Sequence, residues 1–189
     1  MKPVHVRRHT RPIFATHALT AGAPRGEHIL AARYRKARHG FLVLDEVLGD
    51  GEYVFLSVEA IYATRGDVYF YDTEDLIRRK GALVRTQDIA STEEWEQFLD
   101  TWYSVYDADL SAYSPAGVRR MIAKDEELSI AFRRLQETRD ALTLGGKEAI
   151  DYLHQYKVPW PMGPKSNTTE LLVPKRLALS EAAGVYVVE

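Results

Sequence analysis

A short apolar run near the end of the chain, Leu171 to Val173, stands between Glu170 and Pro174. A run this short and this apolar predicts a buried strand. Pro174 cannot donate a hydrogen bond to a neighbouring strand, so it predicts the end or the edge of this one. Val185 to Val188 is β-branched and aromatic and predicts a further strand. The chain therefore has to build a sheet around its last residues, with Glu170 where a polar loop enters a central strand.

The Glu170 carboxylate has two interpretations at this position. Strand ends beside loops are where a rigid scaffold usually presents reactive groups, which makes Glu170 a candidate catalytic residue. The alternative is a solvated strand-end carboxylate, because glutamate is mostly exposed in proteins.

Composition excludes several classes of protein. The 189 residues, 46% hydrophobic and 28% charged, predict one globular domain over 1–189. A net charge of −2 provides no global field that would attract nucleic acid or an anionic membrane. The absence of cysteine excludes disulfides, thiolate zinc sites and a cysteine nucleophile, and it fits a reducing cytoplasm. We find no apolar run long enough to span a membrane and no signal-peptide core, so we expect a cytoplasmic protein without a membrane partner.

The start of the chain predicts a strand followed by a helix. Val4 and Val6 alternate with polar neighbours, which favours a strand, and Thr10 can cap a helix with Pro12 in its first turn. His9 and Thr10 then lie at the strand-to-helix junction, where they are candidates for ligand contacts. The alternative is a surface histidine and a threonine that only caps the helix. The predicted helix face contains Ile13, Phe14, His17 and Ala18.

A basic cluster follows within 31–39. Arginine forks match phosphate geometry, so the cluster is a candidate phosphate-binding patch. The alternative is a solvated face, which is the commoner role of a charge run. The cluster consists of Arg33, Arg35, Lys36 and Arg38.

A hairpin is predicted next. Phe41 to Leu44 favours a strand, Gly49-Asp50-Gly51 a tight turn, and Tyr53 to Leu56 a returning strand that Ser57 follows directly. Asp67 to Tyr71 predicts another strand.

A helical block is predicted from about 91 to 156. Ser91-Thr92-Glu93-Glu94 has the pattern of a capping box, and Ser114-Pro115 and Asp125 to Leu144 indicate further helices. The last helix, from Lys147 to Tyr156, is poor in basic and amide side chains, which argues against a DNA-reading helix-turn-helix. The core-facing stripe of the first helix contains Trp95, Phe98, Leu99 and Trp102.

Common catalytic motifs are absent from the sequence. It contains no GxGxxG, P-loop, HExxH or GxSxG pattern, and its six histidines lack metal-ligand spacing. Chemistry therefore has to come from carboxylate, hydroxyl, histidine and arginine side chains, and we expect no metal.

Four segments, in this order, resemble motifs of the ADP-ribosyltransferase superfamily, in particular its DarT-type, toxin-like branch. They are Arg8-His9-Thr10, the strand that ends in Ser57, the strand that ends in Asp72, and Glu170 to Pro174 before the valine-rich final strand. The resemblance implies an α+β fold, a twisted or split sheet with the helical block inserted before the strand of Glu170.

The resemblance also implies roles for single residues. Glu170 would stabilise the positive charge that develops on the ribose of NAD as nicotinamide leaves, and an arginine would help to orient the nicotinamide side. Arg35 is assigned as that arginine, although Arg33 and Arg38 stay open for the same role. The residues expected to bind NAD are His9, Thr10, Ser57, Arg33 and Arg38.

The expected activity is transfer of ADP-ribose from NAD to a macromolecular acceptor, nucleic acid first and a protein side chain second. An antitoxin protein is a further expected partner. The alternative is a non-enzymatic phage or mobile-element protein that binds a partner through the same fold.

Overall fold

The computed structural model describes residues 12–19, 28–31, 40–58, 66–155 and 169–188. These residues form an α+β structure, as the sequence predicted. The strands are β1 (Phe14–Leu19), β2 (His28–Leu30), β3 (Tyr53–Val58), β4 (Gly66–Asp72), β5 (Leu83–Arg85), β6 (Thr143–Leu144), β7 (Glu170–Pro174), β8 (Arg176–Ala178) and β9 (Gly184–Val188). The helices are α1 (Gly40–Leu48), α2 (Thr73–Lys80), α3 (Glu93–Tyr106), α4 (Pro115–Ile122), α5 (Glu126–Leu142) and α6 (Gly146–Gln155).

Seven of the described strands form one sheet in the order β6-β5-β7-β3-β1-β4-β9, and β2 pairs separately with β8. Every pairing among the described strands is antiparallel. The strand that Glu170 opens, β7, lies between β3 and β5. Leu171, Leu172 and Val173 have no exposed surface. The prediction of a buried central strand at this point is confirmed.

Two apolar clusters hold the described elements together. In the first, Leu56 and Leu171 of the sheet pack with Leu76 of α2 and Leu153 of α6. The second is built by helices α1, α3, α4 and α5. Its largest buried side chains include Phe98, Trp102, Leu128 and Leu135.

The helical block largely follows its prediction. Trp95, Phe98 and Trp102 of α3 are buried and Leu99 is partly buried, so the stripe is confirmed. The cap of α3 is Thr92, whose hydroxyl accepts a hydrogen bond from the Trp95 N–H.

The helix predicted as far as Leu144 ends at Leu142, because Thr143–Leu144 pairs with β5 as a strand.

The helix predicted between Thr10 and Gly22, with Ile13, Phe14, His17 and Ala18 on one face, is wrong over the residues that the structure describes there. Phe14–Leu19 is strand β1, and it pairs with β3 on one side and with β4 on the other. Backbone pairing on both edges decided the conformation here, because a helical spacing of apolar residues over one short segment is a weak local preference.

The hairpin predicted around Gly49-Asp50-Gly51 is also wrong. Phe41 to Leu44 belongs to helix α1, in which Val43, Leu44, Val47 and Leu48 are buried at helical spacing. Gly49 follows with φ 95°, a left-handed conformation that glycine adopts readily. Strand β3 then pairs with β1 and β7.

Several predicted features lie outside the described residues. They are the strand at Val4 to Val6, the His9-Thr10 junction and the basic cluster of Arg33, Arg35, Lys36 and Arg38. Among the described helices, none is long and apolar enough to cross a membrane.

Candidate active site

One row of residues runs straight across the sheet. Directly opposed residues of antiparallel strands project from the same face and lie close together. The polar part of the row brings Glu170 between Arg85 and Ser57. From one edge of the sheet to the other, the row is Thr143, Arg85, Glu170, Ser57, Thr16, Phe70 and Gly184.

Glu170 and Ser57 are a close pair within this row. The Val58 N–H donates to the Thr169 carbonyl over 2.8 Å. Val58 and Thr169 are therefore a hydrogen-bonded pair. Since the two pair types alternate along antiparallel strands, Ser57 and Glu170 are a non-hydrogen-bonded pair, with about 4.5 Å between Cα atoms. The two side chains therefore lie side by side on one face, as a shared site requires, while the roles assigned to them stay predictions.

The start of β7 is held by buried hydroxyl contacts. Thr169 has no exposed surface, and its hydroxyl donates to the Thr86 carbonyl over 3.3 Å. The Tyr152 hydroxyl lies 3.3 Å from the same Thr169 oxygen. These contacts fix the backbone immediately before Glu170, which limits the positions its carboxyl can take.

Arg85 lies on the other side of Glu170. Its side chain is 1% exposed, and Nη1 lies 4.0 Å from Glu170 Oε2. Nη2 donates to Asp50 Oδ2 over 2.9 Å, Nε donates to Thr143 Oγ1 over 3.5 Å, and the guanidinium carbon lies 5.9 Å from the centre of the Phe55 ring. Arg85 is thus bonded to Asp50 and only approaches Glu170.

Asp50 connects this arginine to the helices. The Asp50 side chain is 7% exposed, and its second oxygen lies 4.0 Å from Nη1 of Arg139 in α5. Arg139 also donates to the carbonyl of Leu48, the last residue of α1. The charged groups therefore join the sheet to helices of the second apolar cluster.

The Glu170 pKa is raised to about 8, chiefly because the carboxyl is buried. The negative charge of Asp88 raises the pKa further, Arg85 opposes this, and Asp45 and Asp50 raise it again. Oε2 is buried and has no hydrogen bond from the described residues, although 18% of the side chain remains exposed. Glu170 is therefore mostly protonated at pH 7.

A carboxyl group with a pKa near neutral can exchange a proton or change its charge at physiological pH, and such groups occur most often at functional sites. Glu170 has this property, a neighbouring hydroxyl in Ser57 and a partly exposed side chain. In the part of the chain that the structure describes, no group of acidic and histidine side chains could hold a metal ion.

A cavity formed by described residues lies elsewhere in the structure. It has a volume of about 220 Å³ and lies beside the start of α2, with Asp72, Thr73 and His154 in its lining. Ile13 and Leu153, which also line it, belong to the first apolar cluster. Leu171, which follows Glu170 and projects from the opposite face of β7, belongs to the same cluster.

Two residues of this site, Ser57 and Glu170, were predicted from the sequence, and they lie opposite each other on neighbouring strands. Three others, Arg85, Asp50 and Thr16, were not predicted. A charged residue at the end of the apolar Leu83-Val84 run was the available signal for Arg85. The other predicted site residues, His9, Thr10, Arg33, Arg35 and Arg38, lie outside the described residues.

Comparison of the chain with protein-family models, with curated proteins and with solved structures gives no match.

Proposed function

We propose that the chain transfers ADP-ribose from NAD to a macromolecular acceptor, with Glu170 as the catalytic carboxylate. The bond between ribose and nicotinamide breaks, and its electron pair neutralises the leaving pyridinium ring. A nucleophilic atom of the acceptor forms the new bond to the same ribose carbon and releases a proton. Nucleic acid is the first candidate acceptor and a protein side chain the second.

The pairing of Glu170 with Ser57 at the end of a central strand is the observation that carries this proposal. Leaving-group departure from a ribose develops positive charge on the sugar, as in glycoside hydrolysis. A fixed carboxylate beside the sugar stabilises that charge most where water is largely excluded. The Ser57 hydroxyl, on the same face, is suited to hydrogen-bond the ligand.

The raised pKa of Glu170 fits a site for a cationic ligand. In the free protein, burial and the surrounding acidic side chains favour the neutral carboxyl. A cation close by favours the charged form and lowers the pKa. The nicotinamide ring of NAD is cationic, so its binding should itself ionise Glu170. If the carboxylate is the active form, kcat/KM for NAD cleavage should rise with pH up to about 8.

Nicotinamide release tests the proposal. Wild-type protein and Glu170→Gln are incubated with NAD, with and without single-stranded DNA, duplex DNA or protein as acceptor. We expect turnover to fall by 10²–10³-fold or more in Glu170→Gln, since one lost electrostatic contact of this kind has about that effect. NAD affinity should change far less, because the contact matters most in the transition state.

Glu181→Gln is the matched control. Its side chain is 22% exposed, close to the 18% of Glu170, but its carboxylate forms an ion pair with Lys80 over 2.9 Å and does not lie opposite Ser57. Turnover in this variant should equal that of the wild type. Equal turnover in wild type and Glu170→Gln would remove Glu170 from the mechanism.

The basic cluster outside the described residues has its own test. If Arg33, Arg35 and Arg38 bind phosphate groups, the triple alanine variant should bind NAD or nucleic acid more weakly. For nucleic acid, the loss should shrink at high salt. Unchanged binding of both ligands would make the cluster a solvated face.

A non-enzymatic binding protein is the second candidate, and strand β9 is the observation that favours it. It is the last of the described strands on one side of the sheet, and Val185, Tyr186 and Val187 are 52%, 57% and 59% exposed. An exposed apolar edge strand can accept a strand from another chain. This hypothesis predicts that the protein binds a partner and that substitutions in β9 abolish the binding. It also predicts that the protein does not cleave NAD.

A further inference from the structure

The Arg85 side chain has two ends with different partners. Nη2 is bonded to Asp50 over 2.9 Å, while Nη1 faces Glu170 Oε2 at 4.0 Å, beyond hydrogen-bond distance. Both Nη1 and Oε2 are buried; Nη1 donates no hydrogen bond to a described residue, and Oε2 accepts none from one. Buried polar atoms are rarely left unpaired, because each one costs free energy. Two such atoms facing each other therefore call for a physical reason.

Asp50 supplies that reason. A charge-assisted hydrogen bond is short and strong, so the Asp50 carboxylate both neutralises Arg85 and holds it. Glu170 is left with an arginine whose charge is largely compensated. The other charged groups that act on Glu170 are the acidic side chains of Asp45 in α1 and Asp88 ahead of α3.

We propose that Arg85 is a positioning residue for Glu170, and that Asp50 determines how much of the Arg85 charge acts on it. For catalysis, this inference rests on the proposed cleavage of NAD. With a cationic ligand on the exposed side of Glu170, the carboxyl releases its proton to solvent. Arg85 Nη1 then donates to Oε2 from the buried side and keeps the carboxylate aimed at the ligand.

A purely structural role for Arg85 makes a different prediction. Arg85 also ties β5 to the turn after α1 through Asp50 and contacts Thr143 of β6. If this is its whole role, substitutions at Arg85 and Asp50 should change the stability of the fold and leave the Glu170 pKa unchanged.

The experiment is a ¹³C NMR titration of the glutamate side-chain carboxyls, in which the Glu170 signal is the one missing from Glu170→Gln. In Asp50→Asn, the Glu170 pKa should fall by about one unit or more, because a like negative charge is removed and Arg85 is released from its hydrogen bond to Asp50. In Arg85→Gln it should rise, since an opposite charge is removed, and Arg85→Lys should restore it towards the wild-type value. The two shifts have opposite signs, which a general loosening of the fold would not produce.

Glu74 is the control glutamate within the same spectra. Its carboxylate is bonded to Arg78 on α2, and this bond is the main cause of its lowered pKa. The Glu74 signal should titrate identically in every variant. Folding is checked by near-ultraviolet circular dichroism.

Removing one member of a buried ion pair can prevent folding. If Arg85→Gln does not fold, Asp50→Asn is compared with the Asp50→Asn and Arg85→Gln double variant, which carries no unpaired charge at this site. The Glu170 pKa should then be higher in the double variant, which isolates the effect of Arg85. An unchanged Glu170 pKa in the folded variants would overturn the inference.

The outcomes separate this inference from the proposed function. If NAD is cleaved, the acid limb of the kcat/KM profile should move with the Glu170 pKa, down in Asp50→Asn and up in Arg85→Gln. Shifted titrations without any NAD cleavage would support the positioning role and remove the proposed function. If Glu170→Gln loses turnover while the Glu170 pKa is unchanged in Asp50→Asn and Arg85→Gln, the proposed function is supported and the positioning role is overturned.

Discussion

Glu170 is a buried carboxyl at the start of a strand, and its burial makes its contribution to stability depend on pH. Below its ordinary value of 4.5, the carboxyl is protonated in both folded and unfolded chains. Between pH 4.5 and about 8, the folded protein keeps the proton while the unfolded chain releases it. Stability contributed by the neutral carboxyl is therefore present at low pH and is lost as pH rises towards 8.

Glu170→Gln should consequently stabilise the protein at pH 8. Glutamine cannot ionise, so the variant avoids this loss, and the gain should reach on the order of a few kcal/mol. At pH 4.5 or below, the two proteins should differ little. Urea unfolding at pH 4.5 and pH 8 measures the difference, and equal stabilities at both values would show that Glu170 is not held neutral.

Glu181→Gln should respond in the opposite way. Burial alone would raise the Glu181 pKa, but hydrogen bonds from Lys80 and the Ala178 N–H hold it below its ordinary value. The stability of this carboxylate is present above the unfolded pKa and is lost as pH falls. The variant should therefore be less stable than the wild type at pH 8, as measured by the same unfolding series.

Helix α3 shows how one element is specified by its two faces. Trp102 has no exposed surface and donates a hydrogen bond from its indole N–H to the Ala108 carbonyl over 2.7 Å. Its neighbour Tyr103 is 47% exposed. Adjacent positions on one helix thus face the core and the solvent.

Trp102→Ala should lower the free energy of unfolding by about 3–5 kcal/mol, because it leaves a large cavity. Tyr103→Ala should change it by no more than about 0.5 kcal/mol, since it is a surface substitution. Thermal or urea unfolding of both variants checks the pair. A loss below about half a kcal/mol at Trp102 would contradict its place in the core.

The N-terminus of α3 gives a second test at this scale. Thr92→Ala should cost about 1 kcal/mol, because the hydroxyl accepts from the Trp95 N–H, which otherwise lacks a helical partner. Ser91→Ala, one residue earlier and exposed, should cost less. Equal losses of stability in the two variants would contradict the assignment of Thr92 as the capping residue.

Ligand binding is tested on the whole molecule. If NAD binds only the folded chain, the melting temperature should rise with NAD concentration. At an NAD concentration of one hundred times Kd, the free energy of unfolding should be about 2.7 kcal/mol higher than without NAD. A thermal-shift titration measures this, with adenosine as the control ligand that lacks the pyrophosphate and nicotinamide. No shift with NAD at millimolar concentration would favour the non-enzymatic reading.

Local sequence determined the elements whose signals agree with one another. The run at Leu171 to Val173 is too short for a helix and too apolar for a surface, so it had to be a buried strand. The stripe of Trp95, Phe98 and Trp102 has a helical period and a capping residue ahead of it, and its burial was predictable. Glu170 and Ser57 were predictable as strand-end polar residues.

Only the tertiary structure decided the rest, because strand pairing joins segments that are far apart in the chain. Phe14–Leu19 became a strand through its two neighbours, β3 and β4, and Phe41 to Leu44 became part of helix α1, whose Val43 and Leu44 pack into the second apolar cluster. The same pairing brings Arg85 and Ser57 to the two sides of Glu170. Sequence spacing carries no information on that register, and the burial and neighbouring charges it creates raise the Glu170 pKa.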